Sequence, residues 1–222
     1  MLDTPHVNCD TNRVYEPSED SFLLLDALEA DLEWLKQRVG GIVPISVEVG
    51  CGSGIVSTFM MKHGIPGGNT VYLGTDVNPW ALEATLETRK RNECDDKVFD
   101  AVQCDLTRSL RDGVVDLLVF NPPYVPAESV PRVPLCKEEA RNDDDWLFLA
   151  LDGGDDGMEV TNRLLEQLDT ALSSSGVAYV LFCARNKPEK VAQLMESRGW
   201  HATLVEHRKA GWEVLSVYKF FR

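Results

Sequence analysis

Asn121-Pro122-Pro123-Tyr124 follows an apolar run, Val114 to Phe120, and joins two rigid residues to two side chains that can handle a planar NH2 group. Proline fixes its own φ and donates no hydrogen bond, so the pair holds a strand end and leaves the asparagine amide and two carbonyls facing outward. The Asn121 side-chain oxygen and the Pro122 carbonyl can then each accept one N–H, while Tyr124 stacks on the plane. Such acceptors stabilise the charge that builds on a nitrogen as it receives a group. A proline turn beside a core tyrosine is the plainer alternative, and the position after a fourth strand weighs against it.

A second constellation is Gly50-Cys-Gly-Ser-Gly54, flanked by acids at or near strand ends: Glu48 before it, Asp76 after the second strand and Asp105 after the third. In a doubly wound sheet these ends converge on one crevice, so the three acids face one ligand. An acid 24 residues beyond Gly52 is placed to accept both ribose hydroxyls, a nucleoside signal shared by NAD and S-adenosylmethionine sites. Dinucleotide binding wants G-x-G-x-x-G, and Ile55 stands where the third glycine would fall. No G-x-x-x-x-G-K-[ST] is present either. A ligand with a nucleoside, no phosphate and two cationic centres fits acids better, and S-adenosylmethionine is such a ligand. The glycines alone would be equally compatible with a tight strand-to-helix turn, and Asp105 alone with a helix N-cap before Leu106.

Those residues need elements to hold them. Phe22, Leu23, Leu25, Leu28, Leu32 and Leu35 have helical spacing, after Ser18-x-x-Ser21 with Glu19 and Asp20 in the first turn and before Gly40-Gly41. Strands are predicted at Ile45–Val49, Thr70–Thr75, Val98–Cys104 and Val114–Phe120, the last of the kind that parallel sheets bury on both faces. A helix opens at Asn78-Pro79 and runs to about Arg91. Residues 125–156, rich in Pro, Asp and Glu, read as a long functional connection, in which Asp143-Asp144-Asp145 stands out. A helix over Met158–Leu172, a strand at Val177–Cys183, a helix over Pro188–Arg198 and strands at Ala202–Glu206 and Val214–Phe220 complete the chain, the last two forming a hairpin around Gly211. Strands alternating with helices imply right-handed crossovers and an α/β, Rossmann-like sheet with helices on both faces. The third strand falls at an edge of such a sheet, where Val98, Phe99, Ala101 and Val102 would offer unpaired backbone and apolar side chains to a partner.

The 222 residues, with 22 basic and 36 acidic side chains and a net charge of −14, form an ordinary globular composition. That charge repels polyanions on average and disfavours binding through phosphates. Arg89-Lys90-Arg91 reads as a dipole-matched helix end. Six cysteines without a C-x-x-C pair read as reduced thiols, suggesting neither a metal site nor a disulfide framework. The first twenty residues lack an apolar leader core and no stretch is long and apolar enough to span a membrane, so a cytoplasmic or nuclear location is expected. His6, His63, His201 and His207 fall outside the motifs, and no Ser-His-Asp or Cys-His set is needed.

Tyr15-Glu-Pro-Ser-Glu-Asp-Ser21, Glu48-Val-Gly-Cys-Gly-Ser-Gly54, Thr75-Asp-Val-Asn-Pro79 and Asn121-Pro-Pro-Tyr124 together resemble the S-adenosylmethionine-dependent methyltransferases of the seven-stranded type, end to end. Within them the chain is similar to the HemK-type glutamine methyltransferases of the eukaryotic class I translation release factor. The resemblance implies a single domain over 1–222, with 1–44 as a cofactor-covering helical extension and 45–222 as catalytic core. Only about 45 residues precede the glycine turn, as in the eukaryotic and archaeal branch, which methylates the glutamine of a Gly-Gly-Gln loop. It further implies Tyr15 and Ser21 near the cofactor, Glu48 and Gly50 at its methionine end, Asp76 on the ribose, Asp105 and Leu106 at the adenine, and Gly52, Val77 and Asn121 as further cofactor contacts. Asn121, Pro122, Pro123 and Tyr124 would meet the substrate amide. Gly153-Gly154-Asp-Asp-Gly157 looks like the family's later glycine signature. Implied partners are a small zinc-binding activator protein, in a heterodimer, and the release factor with its GTPase partner.

Three rivals remain open at this point. N6-adenine methylation of DNA or RNA uses the same tetrapeptide, but the charge and the lack of a target-recognition domain oppose it. Lysine methylation would require a base that the motif does not supply. A non-catalytic cofactor-binding scaffold would not need an intact Asn121 and Tyr124.

Overall fold

The computed structural model describes residues 1–39, 43–134 and 144–222; the helix end expected at Gly40-Gly41, together with Cys136 and Asp143, lies outside them. Helices α1 (Glu19–Ala30) and α2 (Leu32–Val39) precede strand β1 (Ile45–Val49). Then follow α3 (Ile55–His63), β2 (Val71–Asp76), α4 (Pro79–Arg91), β3 (Phe99–Gln103) and β4 (Val115–Phe120). The remaining elements are α5 (Asp144–Phe148), α6 (Glu159–Ala171), β5 (Leu172–Cys183), α7 (Pro188–Ser197), β6 (His201–Ala210) and β7 (Glu213–Phe221).

The seven strands form one sheet in the order β3-β2-β1-β4-β5-β7-β6. The first five pair in parallel, whereas β7 runs antiparallel to both β5 and β6, as the terminal hairpin requires. Every residue of β4 is buried, the price of a central parallel position, and its unbroken apolar run except for Asp116 meets it. Asp116 is tied down by the Ile45 N–H at 2.9 Å and the Ser173 hydroxyl at 2.6 Å. Two apolar layers cover the sheet. One gathers Leu23, Leu24 and Leu28 of α1 with Phe59 and Met60 of α3; the other gathers Leu164, Leu165 and Leu168 of α6 with Met195 and Trp200. Strand β3 lies at the edge, as its sequence position predicts, and Val98 beside it is 64% exposed.

Three departures from the predicted elements have identifiable causes. The single helix expected from Phe22 through Leu35 breaks at Asp31, whose carboxylate is drawn to the Tyr179 hydroxyl at 2.8 Å and to Lys219 Nζ at 2.6 Å. Strand β5 starts at Leu172 rather than Val177, because Leu172 pairs with Val115 before a register shift. Strand β6 extends to Ala210 through His-Arg-Lys, a polar edge stretch with no apolar alternation to reveal it; Arg208 there pairs with Asp26 and approaches Glu19 at 3.8 Å. The five described cysteines are free, and no described helix is long and apolar enough to cross a membrane.

Candidate functional site

The carboxyl ends of β1, β2 and β4 open onto a cavity of about 1240 Å³, its mouth included. Tyr15, Ser21, Glu48, Gly50, Gly52, Asp76, Val77, Asp105, Leu106, Asn121, Pro122, Pro123 and Tyr124 all line it. Residues from positions 15 to 124 thus converge because parallel strands end on one side, and the turns that follow them carry the side chains.

The glycine turn is built for close packing. Gly54 sits at φ +77°, and a Cβ there would fall 2.6 Å from the Thr85 Cα of α4. Only a bare backbone lets α3 start so near α4. Asn78 caps α4 by accepting the Trp80 N–H at 3.0 Å, with Pro79 in the first turn. Its Nδ2 donates to the Arg13 carbonyl at 2.8 Å, which straps the segment carrying Val14 and Tyr15 over the cavity.

Two of the acids are held by the turns they flank. Asp76 accepts the Gly52 N–H at 3.0 Å and the Asn78 N–H at 2.9 Å, yet burial outweighs these bonds and pushes its carboxyl up to about 6. Glu48 accepts the Ser57 N–H at 2.7 Å and the Ser57 hydroxyl at the start of α3. Burial, with the charge of Asp76 added, pushes it up to about 8 against those hydrogen bonds. Two carboxyls so placed favour a cation between them, whose charge would return both to the ionised form.

The helix N-cap considered for Asp105 is not formed, while Asp105 does line the cavity. No helix follows: Leu106 adopts φ +56°, and residues 106–109 form turns. The Asp105 carboxylate pairs with Arg163 of α6 and lies 3.4 Å from Arg108. Among the described residues lining the cavity, Arg163 is the only Lys or Arg, and Asp105 takes its charge. That lining favours a nucleoside with cationic centres over a phosphate.

At the tetrapeptide, Asn121 Nδ2 donates to Asp20 Oδ2 at 3.0 Å, which fixes which end of the amide faces which way. Asn121 Oδ1 is buried and has no hydrogen-bond partner among the described residues. An unpartnered buried acceptor is costly unless a ligand supplies the donor. The carbonyls of the last two members turn elsewhere: a Cβ at Gly153 would collide with the Pro123 carbonyl, and Asn186 Nδ2 donates to the Tyr124 carbonyl at 3.0 Å. Of the outward pair of carbonyls expected from the prolines, that of Pro123 is therefore turned away, and that of Pro122 is left beside the open asparagine oxygen. Tyr124 donates its hydroxyl to Glu213 Oε2 at 3.2 Å. Burial, with Asp20, Tyr15 and Glu213 nearby, pushes the Tyr124 hydroxyl far above the usual phenol range.

Sequence reasoning missed Asp20, Trp146 and Arg163 in this lining. Asp20 is 3% exposed and bonds the Ser21 N–H at 2.6 Å. In the sequence it is one of two acids in a helix first turn, indistinguishable from its solvated neighbour Glu19. Trp146 lies in the long connection, where no periodicity marks its burial.

Residues 20–132 match the family described as Methyltransferase small domain. The chain is 37% identical over 214 residues to the eRF1 methyltransferase catalytic subunit mtq2 of Schizosaccharomyces pombe, spanning 94% of this chain and 89% of that one. It is 39% identical over 212 residues to the human Methyltransferase HEMK2, spanning 93% and 89%. Among solved structures, the Mtq2–Trm112 complex of E. cuniculi, described as responsible for methylating the eRF1 termination factor, superposes with a TM-score of 0.64 at 25% identity, over 95% of this chain and 99% of that one.

Proposed function

The chain belongs to the HemK-type protein-glutamine methyltransferases, and we propose that it transfers a methyl group to the side-chain amide nitrogen of the Gly-Gly-Gln glutamine in the class I translation release factor. The observation that carries this reading is the Asn121 amide, clamped by Asp20 with its oxygen buried and open to a donor. The cofactor is S-adenosylmethionine, which supplies, when bound, an electrophilic methyl group on a sulfonium.

The chain's residues divide the work of holding it. Asp76 keeps a lone pair for a ribose hydroxyl beyond those given to the Gly52, Asn78 and Val77 N–H groups, because a carboxylate accepts about four hydrogen bonds. Glu48 and Gly50 serve the methionine end, Gly52 the turn, and Val77, Asp105 and Leu106 the nucleoside side, with Tyr15 and Ser21 as cover. Residues 1–44 act with 45–222 as one domain in this reading, since α1 contributes Leu23, Leu24 and Leu28 to the core.

An amide nitrogen is a weak nucleophile, so orientation dominates the catalysis. Asn121 Oδ1 and the Pro122 carbonyl accept the two N–H groups and fix the plane of the glutamine amide. The hydrogen bond from Nδ2 to Asp20 Oδ2 polarises the Asn121 amide, which makes Oδ1 a stronger acceptor as positive charge grows on the attacking nitrogen. Tyr124 covers the amide face, and Val130, Leu149 and Leu151 add an apolar wall that excludes water. One of the two held protons then passes to water as the product leaves the site, which restores a neutral N-methyl amide.

The edge strand β3, with exposed Val98 next to it, suits pairing with a small zinc-binding activator subunit. The release factor would arrive with its GTPase partner, in the cytoplasm, with a nuclear share. The net charge of −14 opposes a nucleic-acid substrate. Mass spectrometry of release factor incubated with S-adenosylmethionine, the chain and the activator should locate a gain of about 14 mass units on that glutamine. Methylation found on lysine alone, or none with the partner present, would refute the proposal.

A further inference from the structure

Tyr124 is fixed from two sides by residues that follow it in the chain, of which Asn186 and Glu213 belong to none of the motifs above. Its backbone carbonyl takes the Asn186 Nδ2–H at 3.0 Å. Asn186 is itself buried, accepts the Cys183 N–H at 2.8 Å and donates to the Asp156 carbonyl at 2.9 Å. Gly157, at φ +70°, presses so close that a Cβ there would overlap the Tyr124 carbonyl. The tyrosine backbone has no room to swing, and only the rotation of its side chain remains.

That rotation is stopped by Glu213. The carboxylate opens β7 two residues after Gly211, at the tip of the terminal hairpin, and accepts the Tyr124 hydroxyl at 3.2 Å. Because burial keeps the phenol protonated, the hydroxyl remains a donor and the bond keeps one direction. Glu213 does not line the cavity; its hydrogen bond reaches the site through Tyr124, and it also lies near enough to Tyr15 to raise that phenol. A ring held at both its Cα end and its hydroxyl end has one orientation, whereas a ring held only at the backbone samples several.

We infer that Glu213 is a positioning residue for methyl transfer: it holds the Tyr124 ring at the angle that meets the acceptor amide and makes the hairpin tip part of the active site. The inference rests on the reading of Tyr124 as the residue facing the glutamine amide. Misalignment of the amide acts on the chemical step more than on binding, which separates this role from general support of the fold.

The test is steady-state kinetics on release factor with the chain in complex with its activator. Glu213→Ala should lower kcat about tenfold, with KM for release factor and cofactor affinity within about twofold. Glu213→Gln keeps an acceptor oxygen and should recover most of the rate. Tyr124→Phe deletes the same hydrogen bond and should show the same loss, with no further loss in the double variant. Full kcat in Glu213→Ala, a loss confined to KM, or losses that multiply in the double variant would overturn the inference while leaving the proposed function intact. Should Glu213→Ala fail to fold, full kcat in Tyr124→Phe overturns it alone. A wild-type complex inactive on the glutamine overturns both.

Discussion

Asn121 uses the two ends of one amide for different tasks: Nδ2 is spent on Asp20, and Oδ1 is kept for an incoming donor. Asn121→Ala removes that acceptor without touching the nucleoside side of the cavity. Turnover should fall by about two orders of magnitude or more, the usual cost of losing an oriented polar group at a reacting centre, while calorimetry should find cofactor affinity within a few-fold of wild type. Affinity lost in parallel with turnover would move Asn121 to the cofactor. Asp76→Ala should do the reverse and weaken cofactor binding by about 1.5–3 kcal/mol, the worth of hydrogen bonds to a charged acceptor. An unchanged dissociation constant would remove it from the site. Residues such as these were legible because their types are rare at strand ends: an Asn between an apolar run and two prolines, an acid closing a strand. Asp20 was not, because burial of one acid in Glu19-Asp20 depends on which way a helix faces, and spacing alone carries no such information.

At the level of elements, the strands and helices that position the site follow from short β-branched runs, proline starts and glycine stops, and the structure has them in the predicted order. What the chain pattern concealed are features made by contacts between distant segments. The break at Asp31 is caused by Tyr179 and Lys219, 148 and 188 residues away. The last four residues of β6 are polar or small, and they extend the strand because β7 lies beside them rather than because of their own preference. The glycine turn is the element whose geometry is most exposed to test. Gly54→Ala forces a Cβ both into the left-handed region and against the Thr85 backbone. A cost of about 2 kcal/mol or more follows, so thermal unfolding should shift down by several degrees and cofactor affinity should drop as α3 moves from α4. An unfolding temperature equal to wild type would mean that the turn tolerates separation of the two helices.

Across the whole molecule, an acid-rich chain keeps two of its carboxyls in a buried site that has little to offset them. Asp76, ordinarily near 3.8, is pushed up to about 6, and Glu48, ordinarily near 4.5, to about 8, in both cases by burial before any other cause. A raised acid binds its proton more tightly in the folded chain than in the unfolded one. The folded state therefore carries the excess of protons between the two values, and stability falls as pH rises through that interval. For Asp76 the interval is about 4 to 6, for Glu48 about 4.5 to 8. Without cofactor, the unfolding temperature should decline from pH 6 to pH 8, and Glu48→Gln, which has no proton to lose, should decline less over the same range. A bound sulfonium and ammonium would supply the missing positive charge, so saturating cofactor should flatten the wild-type curve and its binding near pH 7 should release protons. Calorimetry in two buffers of different ionisation enthalpy measures that release directly. Identical heats in both buffers, with Glu48→Gln following the wild-type pH curve, would show that these acids are already ionised and that the cavity attracts its cation by shape rather than by unmet charge.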